Sequence, residues 1–129
     1  MPSEKILVVD DDPFIQNLVV YNLEQEGYTV IQADNGMDAL DKAKREKPDL
    51  IVLDIMLPKM DGYKVSRILK FDKKYKEIPV LMLTAKAQEV DKETGMETGA
   101  DLYMTKPFEP EALLKRVREL LDRKKGDEA

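Results

Sequence analysis

Ile6-Leu7-Val8-Val9-Asp10-Asp11-Asp12 sets an apolar run against a cluster of carboxylates, and the same arrangement recurs along the chain. Leu50-Ile51-Val52-Leu53 stops at Asp54. Val80-Leu81-Met82-Leu83 stops at Thr84, and Leu102-Tyr103-Met104-Thr105 runs into Lys106-Pro107. Unbroken apolar runs of this length predict strands buried on both faces of a parallel sheet, since a sheet solvated on one face would alternate. Ligands of such sheets bind outside the carboxyl ends of the strands. Carboxylates, a hydroxyl and an ammonium are thereby gathered along one edge, a set suited to a divalent cation and a phosphoryl group.

Helical patterns separate the runs. Asp12 is placed to cap a first helix with Pro13 at its first position. Phe14, Leu18 and Tyr21 follow at helical spacing, and Gly27 suits the stop. A second strand is expected from Tyr28 to Ala33. The next helix opens near Asn35-Gly36 and buries Ala39, Leu40 and Ala43. Pro48 punctuates before the Asp54 strand, and a loop through Pro58 leads to a helix carrying Val65, Ile68 and Leu69. Between Gln88 and Gly99 the apolar positions are few, mainly Val90 and Met96, and Gly95 interrupts them. That pattern predicts a short, poorly packed surface helix, a marginal element able to hold two arrangements. The last helix starts near Glu109-Pro110 and carries Leu113, Leu114, Val117, Leu120 and Leu121. Five βα units imply a five-stranded parallel sheet with right-handed crossovers and helices on both faces. The charged tail from Arg123 to Ala129 is expected to fray.

Composition narrows the chemistry. The 129 residues fit one domain, and a hydrophobic fraction of 43% supplies a core. A net charge of −5 gives no overall support to a nucleic-acid surface. There is no apolar run near membrane-spanning length and no signal peptide, so neither a membrane nor secretion is expected. The chain contains no cysteine, which excludes disulfides and thiol chemistry and accords with a reducing cytoplasm. It also contains no histidine, which removes imidazole metal sites, serine–histidine pairs and a phosphohistidine of its own. Aspartate is left as the leading candidate nucleophile, and any histidine chemistry must come from a partner.

With these motifs in order, the chain resembles the receiver domain of two-component response regulators, the CheY-like family. The matching residues are Val8-Val9-Asp10-Asp11, Asp54 with Met56-Leu57-Pro58, Met60-Asp61-Gly62, Thr84-Ala85 and Lys106-Pro107-Phe108. Each is weak alone; together they cover Lys5 to about Arg123. The resemblance implies a flavodoxin-like, doubly wound sheet of order 2-1-3-4-5 with five helices, the order for which a chemotaxis member of the family is itself a standard example. It implies a receiver over residues 1–123, followed at 124–129 by a charged tail or the start of a linker.

The resemblance also implies roles. Asp54 would accept a phosphoryl group from a sensor histidine kinase, where a strand-end capping aspartate is the plain alternative. Asp11 would bind Mg²⁺ directly and Asp10 through water, with the Met56 main-chain carbonyl completing the protein ligands; the alternative is a solvated acidic cluster, which is the reading taken for Asp12. Two like charges about 4 Å apart repel by roughly 4 kcal/mol at an effective dielectric of 20, so three carboxylates facing one lysine should raise one pKa unless a cation binds. Lys106 would pair with the phosphoryl oxygens and Thr84 would hydrogen-bond one of them. A cis bond at Lys106-Pro107, as in the family, would aim the lysine inward. Tyr103 sits where the family has a switch aromatic, and reads equally well as a strand aromatic that never moves. Asp61 reads as a helix cap, and the Asp41/Arg45 and Glu111/Lys115 pairs as solvated helix faces.

The function this implies is a phosphorylation switch and not an enzyme acting on free substrates. Thr84 and Tyr103 would bias the surface formed by the fourth helix, fifth strand and fifth helix, which a partner or a second copy reads. The kinase would dock along the first helix near Phe14, Ile15 and Leu18. Met56 and Lys86 would tune the lifetime of the phosphoryl group. The segment Glu97-Thr98-Gly99-Ala100-Asp101 and the stretch Lys115-Arg116-Val117 are similar to the transcription-factor branch whose receivers dimerise on that surface, although Leu102 departs from the acidic residue common there. Two other classes compete: a pseudo-receiver binding module that takes no phosphate, which the complete set Asp10, Asp11, Asp54, Thr84 and Lys106 argues against, and a metal-dependent phosphohydrolase, for which no substrate pocket, lid or general base stands out.

Overall fold

The computed structural model describes residues 4–84 and 100–128. Five strands, β1 (Lys5–Val9), β2 (Thr29–Ala33), β3 (Leu50–Asp54), β4 (Val80–Thr84) and β5 (Leu102–Thr105), form one parallel sheet in the order β2-β1-β3-β4-β5. Among the described residues the helices are α1 (Pro13–Gln25), α2 (Gly36–Glu46), α3 (Gly62–Lys70) and the C-terminal helix (Pro110–Glu128). The flavodoxin-like order and the doubly wound layering are as expected. The weak helix expected between Gln88 and Gly99, with Lys86 and Ala85, lies outside the described residues.

The sheet separates two apolar layers. Ile6, Val8, Leu50, Val52, Leu81 and Leu83 point towards α1 and the C-terminal helix, where Val19, Leu23, Leu113 and Val117 meet them. Leu7, Val9, Ile51, Leu53, Val80 and Met82 point the other way, onto Ala39 and Ala43 of α2 and Val65 and Leu69 of α3. Alternate residues of one strand thus feed opposite cores, which is why β1, β3 and β4 read as unbroken apolar runs. β5 departs from that reading. It is the edge strand, and Leu102, Tyr103 and Met104 are only half-buried.

Local signals set the helix ends. Asp12 caps α1 by accepting the Phe14 N–H at 2.9 Å, Asn35 caps α2 through the Asp38 N–H at 2.8 Å, and Asp61 caps α3 through the Lys64 N–H at 2.9 Å. Gly27, with φ of +95°, ends α1 in the left-handed region that glycine tolerates. The buried stripe of α1 differs from the sequence reading: Phe14 and Tyr21 are 73% and 62% exposed, and Val19, Val20 and Leu23 face the core instead, with Ile15 packed alongside. Both stripes are apolar at helical spacing, so pattern alone does not choose between them. The C-terminal helix also continues to Glu128 where a frayed tail was expected from Arg123, as suits Arg and Lys, which propagate a helix nearly as well as leucine.

Candidate phosphoacceptor and metal site

Register builds the site. Val9 of β1 lies opposite Leu53 of β3, so the next residues, Asp10 and Asp54, emerge side by side at the carboxyl edge. Asp54 is paired with Leu83 of β4, which puts Thr84 one step further out on the neighbouring strand. Thr84 is paired with Thr105 of β5, so Lys106 follows at the same edge, and its N–H donates to the Thr84 carbonyl at 2.7 Å. The Lys106–Pro107 peptide is cis.

Four of the expected site residues converge. Asp10, Asp11 and Asp54 each bring a carboxylate oxygen within 4.8 Å of the others. Lys106 Nζ lies 2.8 Å from Asp10 Oδ2 and 3.3 Å from Asp54 Oδ2. Asp10 Oδ1 also accepts the Asp12 N–H at 2.9 Å. Among the described residues the buried polar side chains are Asp10, Asp54, Ser66 and Thr84, and all but Ser66 stand at this edge. Buried polar groups carry a desolvation cost that an ordinary core avoids, so their concentration here marks a place kept for chemistry. Asp11 differs in being exposed, open to a ligand from solvent.

The electrostatics follow from burial. Desolvation pushes the Asp54 carboxyl above its usual range; the charge of Asp10 pushes the same way, while Lys106 and the Met56 N–H, 3.4 Å from Asp54 Oδ1, oppose it. Burial alone would lower the Lys106 ammonium, but its hydrogen bond to Asp10 and the charges of Asp54 and Asp10 prevail and raise it. The pocket therefore holds more anionic charge than its lysine neutralises. Hard oxygen donors in excess of cations are a donor set that fits Mg²⁺.

The remaining expected residues are nearby in different ways. Met56 lies in the loop after β3 and is 71% exposed. Thr84 is buried at the end of β4. Tyr103 is half-buried opposite Met82 and packs against the α2–α3 core layer, away from the carboxylates in sequence register.

The loop from Ile55 to Asp61 carries contacts that no sequence motif announced. The Ile55 carbonyl accepts the Leu57 and Gly62 N–H groups, and the Pro58 carbonyl accepts those of Met60 and Gly36. A side chain at Gly62 would stand 2.3 Å from the Asp54 carbonyl oxygen, and one at Gly36 would stand 1.7 Å from that of Met60. Gly62 falls within a recognisable motif; Gly36 was legible only as a helix start.

A sheet of this order, with carboxylates and a lysine gathered at its carboxyl edge, belongs to the doubly wound class and is suited to a cation and a phosphoryl group. The family model described as the response regulator receiver domain matches residues 6–118, and the chain belongs to that family. It is 55% identical over 121 residues to the alkaline phosphatase synthesis transcriptional regulatory protein PhoP of Bacillus subtilis, covering 94% of this chain and 50% of that protein. The chain thus spans about half the length of that curated relative. Among solved structures it is similar to the chemotaxis response regulator CheY4 of Vibrio cholerae, with TM-score 0.85, 36% identity and coverage of 92% and 98% of the two chains. It is also similar to the receiver domain of the sensor histidine kinase PA1611 from Pseudomonas aeruginosa, with TM-score 0.86, 30% identity and coverage of 93% and 98%; that structure has a magnesium ion coordinated in its active site cleft. The chain is a receiver of the phosphorylation-activated kind. No helix among its described residues is long and apolar enough to cross a membrane.

Proposed function

We propose that Asp54 is the phosphoacceptor and that Asp10, Asp11 and Asp54, with the Met56 main-chain carbonyl, hold Mg²⁺. The observation that carries this is the convergence of three carboxylates on one lysine at a single strand edge. A carboxylate oxygen of Asp54 attacks the phosphorus of a partner kinase's phosphohistidine; the phosphorus–oxygen bond forms as the phosphorus–nitrogen bond breaks, and the imidazole departs. Bound Mg²⁺ would neutralise the carboxylates and the charge gathering on the phosphoryl oxygens. Lys106 stays at the pocket, its ammonium between Asp10 and Asp54, ready to pair with the incoming oxygens. Thr84 hydrogen-bonds a phosphoryl oxygen, and its movement is passed to Tyr103.

Residues 1–123 act as the receiver, and the region from 124 onward leads out of it. The protein works in the cytoplasm as a switch and not as an enzyme on free substrates, with Met56 and Lys86 setting the phosphoryl lifetime. A sensor histidine kinase docks along α1, where the exposed Phe14 supports an apolar contact beside the site. The surface around β5 and the C-terminal helix serves a second copy or another protein, and the domain itself does not contact nucleic acid.

Intact mass after incubation with acetyl phosphate and Mg²⁺ tests the chemistry. One added phosphoryl group is expected, absent in Asp54→Asn and in the presence of a chelator. No added mass, together with no NMR change on adding beryllofluoride, would reject Asp54 as an acceptor.

A further inference from the structure

We propose that Gly36, at the start of α2, is a positioning residue for the loop that follows Asp54. The proposal rests on the roles given above to Asp54 and Met56. Two glycines of this chain make the argument by contrast. Gly27 has a positive φ and open space around it, so its glycine is required by backbone conformation. Gly36 has no such φ, yet a Cβ there would lie 1.7 Å from the Met60 carbonyl oxygen, 2.6 Å from the Met60 carbonyl carbon and 2.7 Å from its Cβ. Its glycine is required by space: the loop rests directly on the helix backbone.

The contact is reinforced from both sides. The Gly36 N–H donates to the Pro58 carbonyl at 3.2 Å, and the Met60 N–H donates to the same oxygen at 2.8 Å. Between them Lys59 holds φ of 68°, a left-handed conformation that a side-chain-bearing residue keeps only when its surroundings impose it. At its other end the loop is tied through Ile55 to Gly62. Met56 and Leu57 are thus suspended between two anchors, one on the helix that follows Asp54 and one on α2, a helix that contributes no residue to the site. Moving the α2 anchor moves the span that presents the Met56 carbonyl.

Gly36→Ala gives the test. Alanine ordinarily stabilises a helix relative to glycine, so without the contact the variant would be neutral or better. Because the two nearest clashing atoms belong to the Met60 backbone, the loop must shift instead. In metal-free ¹H–¹⁵N spectra the amides of residues 55–62 should move while those of β1 stay in place. Calorimetric Mg²⁺ affinity should weaken by about tenfold, the scale seen when a group supporting a metal ligand is lost, and phosphorylation by acetyl phosphate should slow. Asn35→Ala, which loosens the same helix start without a clash, should shift the same amides and weaken Mg²⁺ to a lesser degree. Ala43→Gly lowers stability from within α2 and should leave both readouts at wild-type values. A folded Gly36→Ala with unmoved loop amides and wild-type Mg²⁺ affinity overturns the proposal. Should Gly36→Ala not fold, Asn35→Ala decides in its place: loop shifts beyond those of Ala43→Gly support the role, and their absence overturns it. If the wild-type protein takes neither Mg²⁺ nor a phosphoryl group, the assignment of Asp54 fails, while the metal-free spectra still decide the role of Gly36.

Discussion

The ammonium of Lys106 lies nearer to Asp10, at 2.8 Å, than to Asp54, at 3.3 Å. Asp10 is 2% exposed and needs a cation more than its neighbours do. In the metal-free protein this lysine therefore neutralises the buried Asp10 carboxylate as well as facing Asp54. Lys106→Met should destabilise the metal-free protein. Removing one partner of a fully buried pair costs about 3–5 kcal/mol, and the partial exposure of Lys106 reduces this to about 1–3 kcal/mol. Urea unfolding with a chelator measures it, and Mg²⁺ should restore part of the loss. Unchanged stability would mean that Asp10 finds its neutralisation elsewhere.

Asp11 stands in the opposite position, exposed and adding charge to an already anionic pocket. Asp11→Ala should abolish phosphorylation by acetyl phosphate while the metal-free protein melts no lower than wild type. A clear fall in the metal-free melting temperature would show that Asp11 supports the fold and contradict its assignment to the metal.

Asp54 gives a pH signature in the absence of metal. Its raised pKa means that the folded state holds this proton more tightly than the unfolded state does. Stability must then fall as pH rises from the ordinary carboxylate range through the higher folded pKa, and level off above it. Asp54→Asn removes that dependence. With a chelator present it should be more stable than wild type at neutral pH, by a margin that shrinks as the pH is lowered towards the unfolded value. A margin that grows on acidification would reverse the sign and reject the argument.

The opposite edge of the sheet offers a contrast. Asp101 Oδ2 accepts the Val80 N–H at 2.8 Å and lies 2.8 Å from Lys70 Nζ, which also donates to the Ile78 carbonyl at 2.7 Å. One carboxylate thus joins the entrance of β4, the approach to β5 and the end of α3. Asp101→Ala should cost about 1–3 kcal/mol by leaving the Val80 N–H without its acceptor. Phosphorylation by acetyl phosphate should proceed at the wild-type rate in the folded fraction, because these contacts lie at the amino ends of the strands.

Much of this is legible in the amino-acid sequence. The runs ending at Asp10, Asp54, Thr84 and Lys106 located four strands and the edge at which those side chains gather, because a strand inside a sheet stays apolar until it leaves it. The caps at Asp12 and Asp61, and the helix start near Asn35, were legible for a similar reason: a side-chain oxygen has one local task at a helix start. What escaped required three dimensions. The stripe of Phe14, Leu18 and Tyr21 on α1 was as periodic as the one that is buried, and the sheet chose the other. β5 has the composition of a doubly buried strand but is only half-buried, although its place at the edge was expected. The supports at Gly36 and Asp101 depend on backbone atoms distant in sequence, which leave no periodic trace.

Lys106 and Asp10 are 96 residues apart in the chain, yet they share one hydrogen bond. A growing polypeptide that has displayed Asp10, Asp11 and Asp54 still lacks the ammonium, and β5 must dock on β4 before Lys106 arrives. Chemistry assembled from residues so far apart in sequence depends on completion of the sheet. A copy in which β5 has not docked on β4 presents the carboxylates without the ammonium that pairs with them.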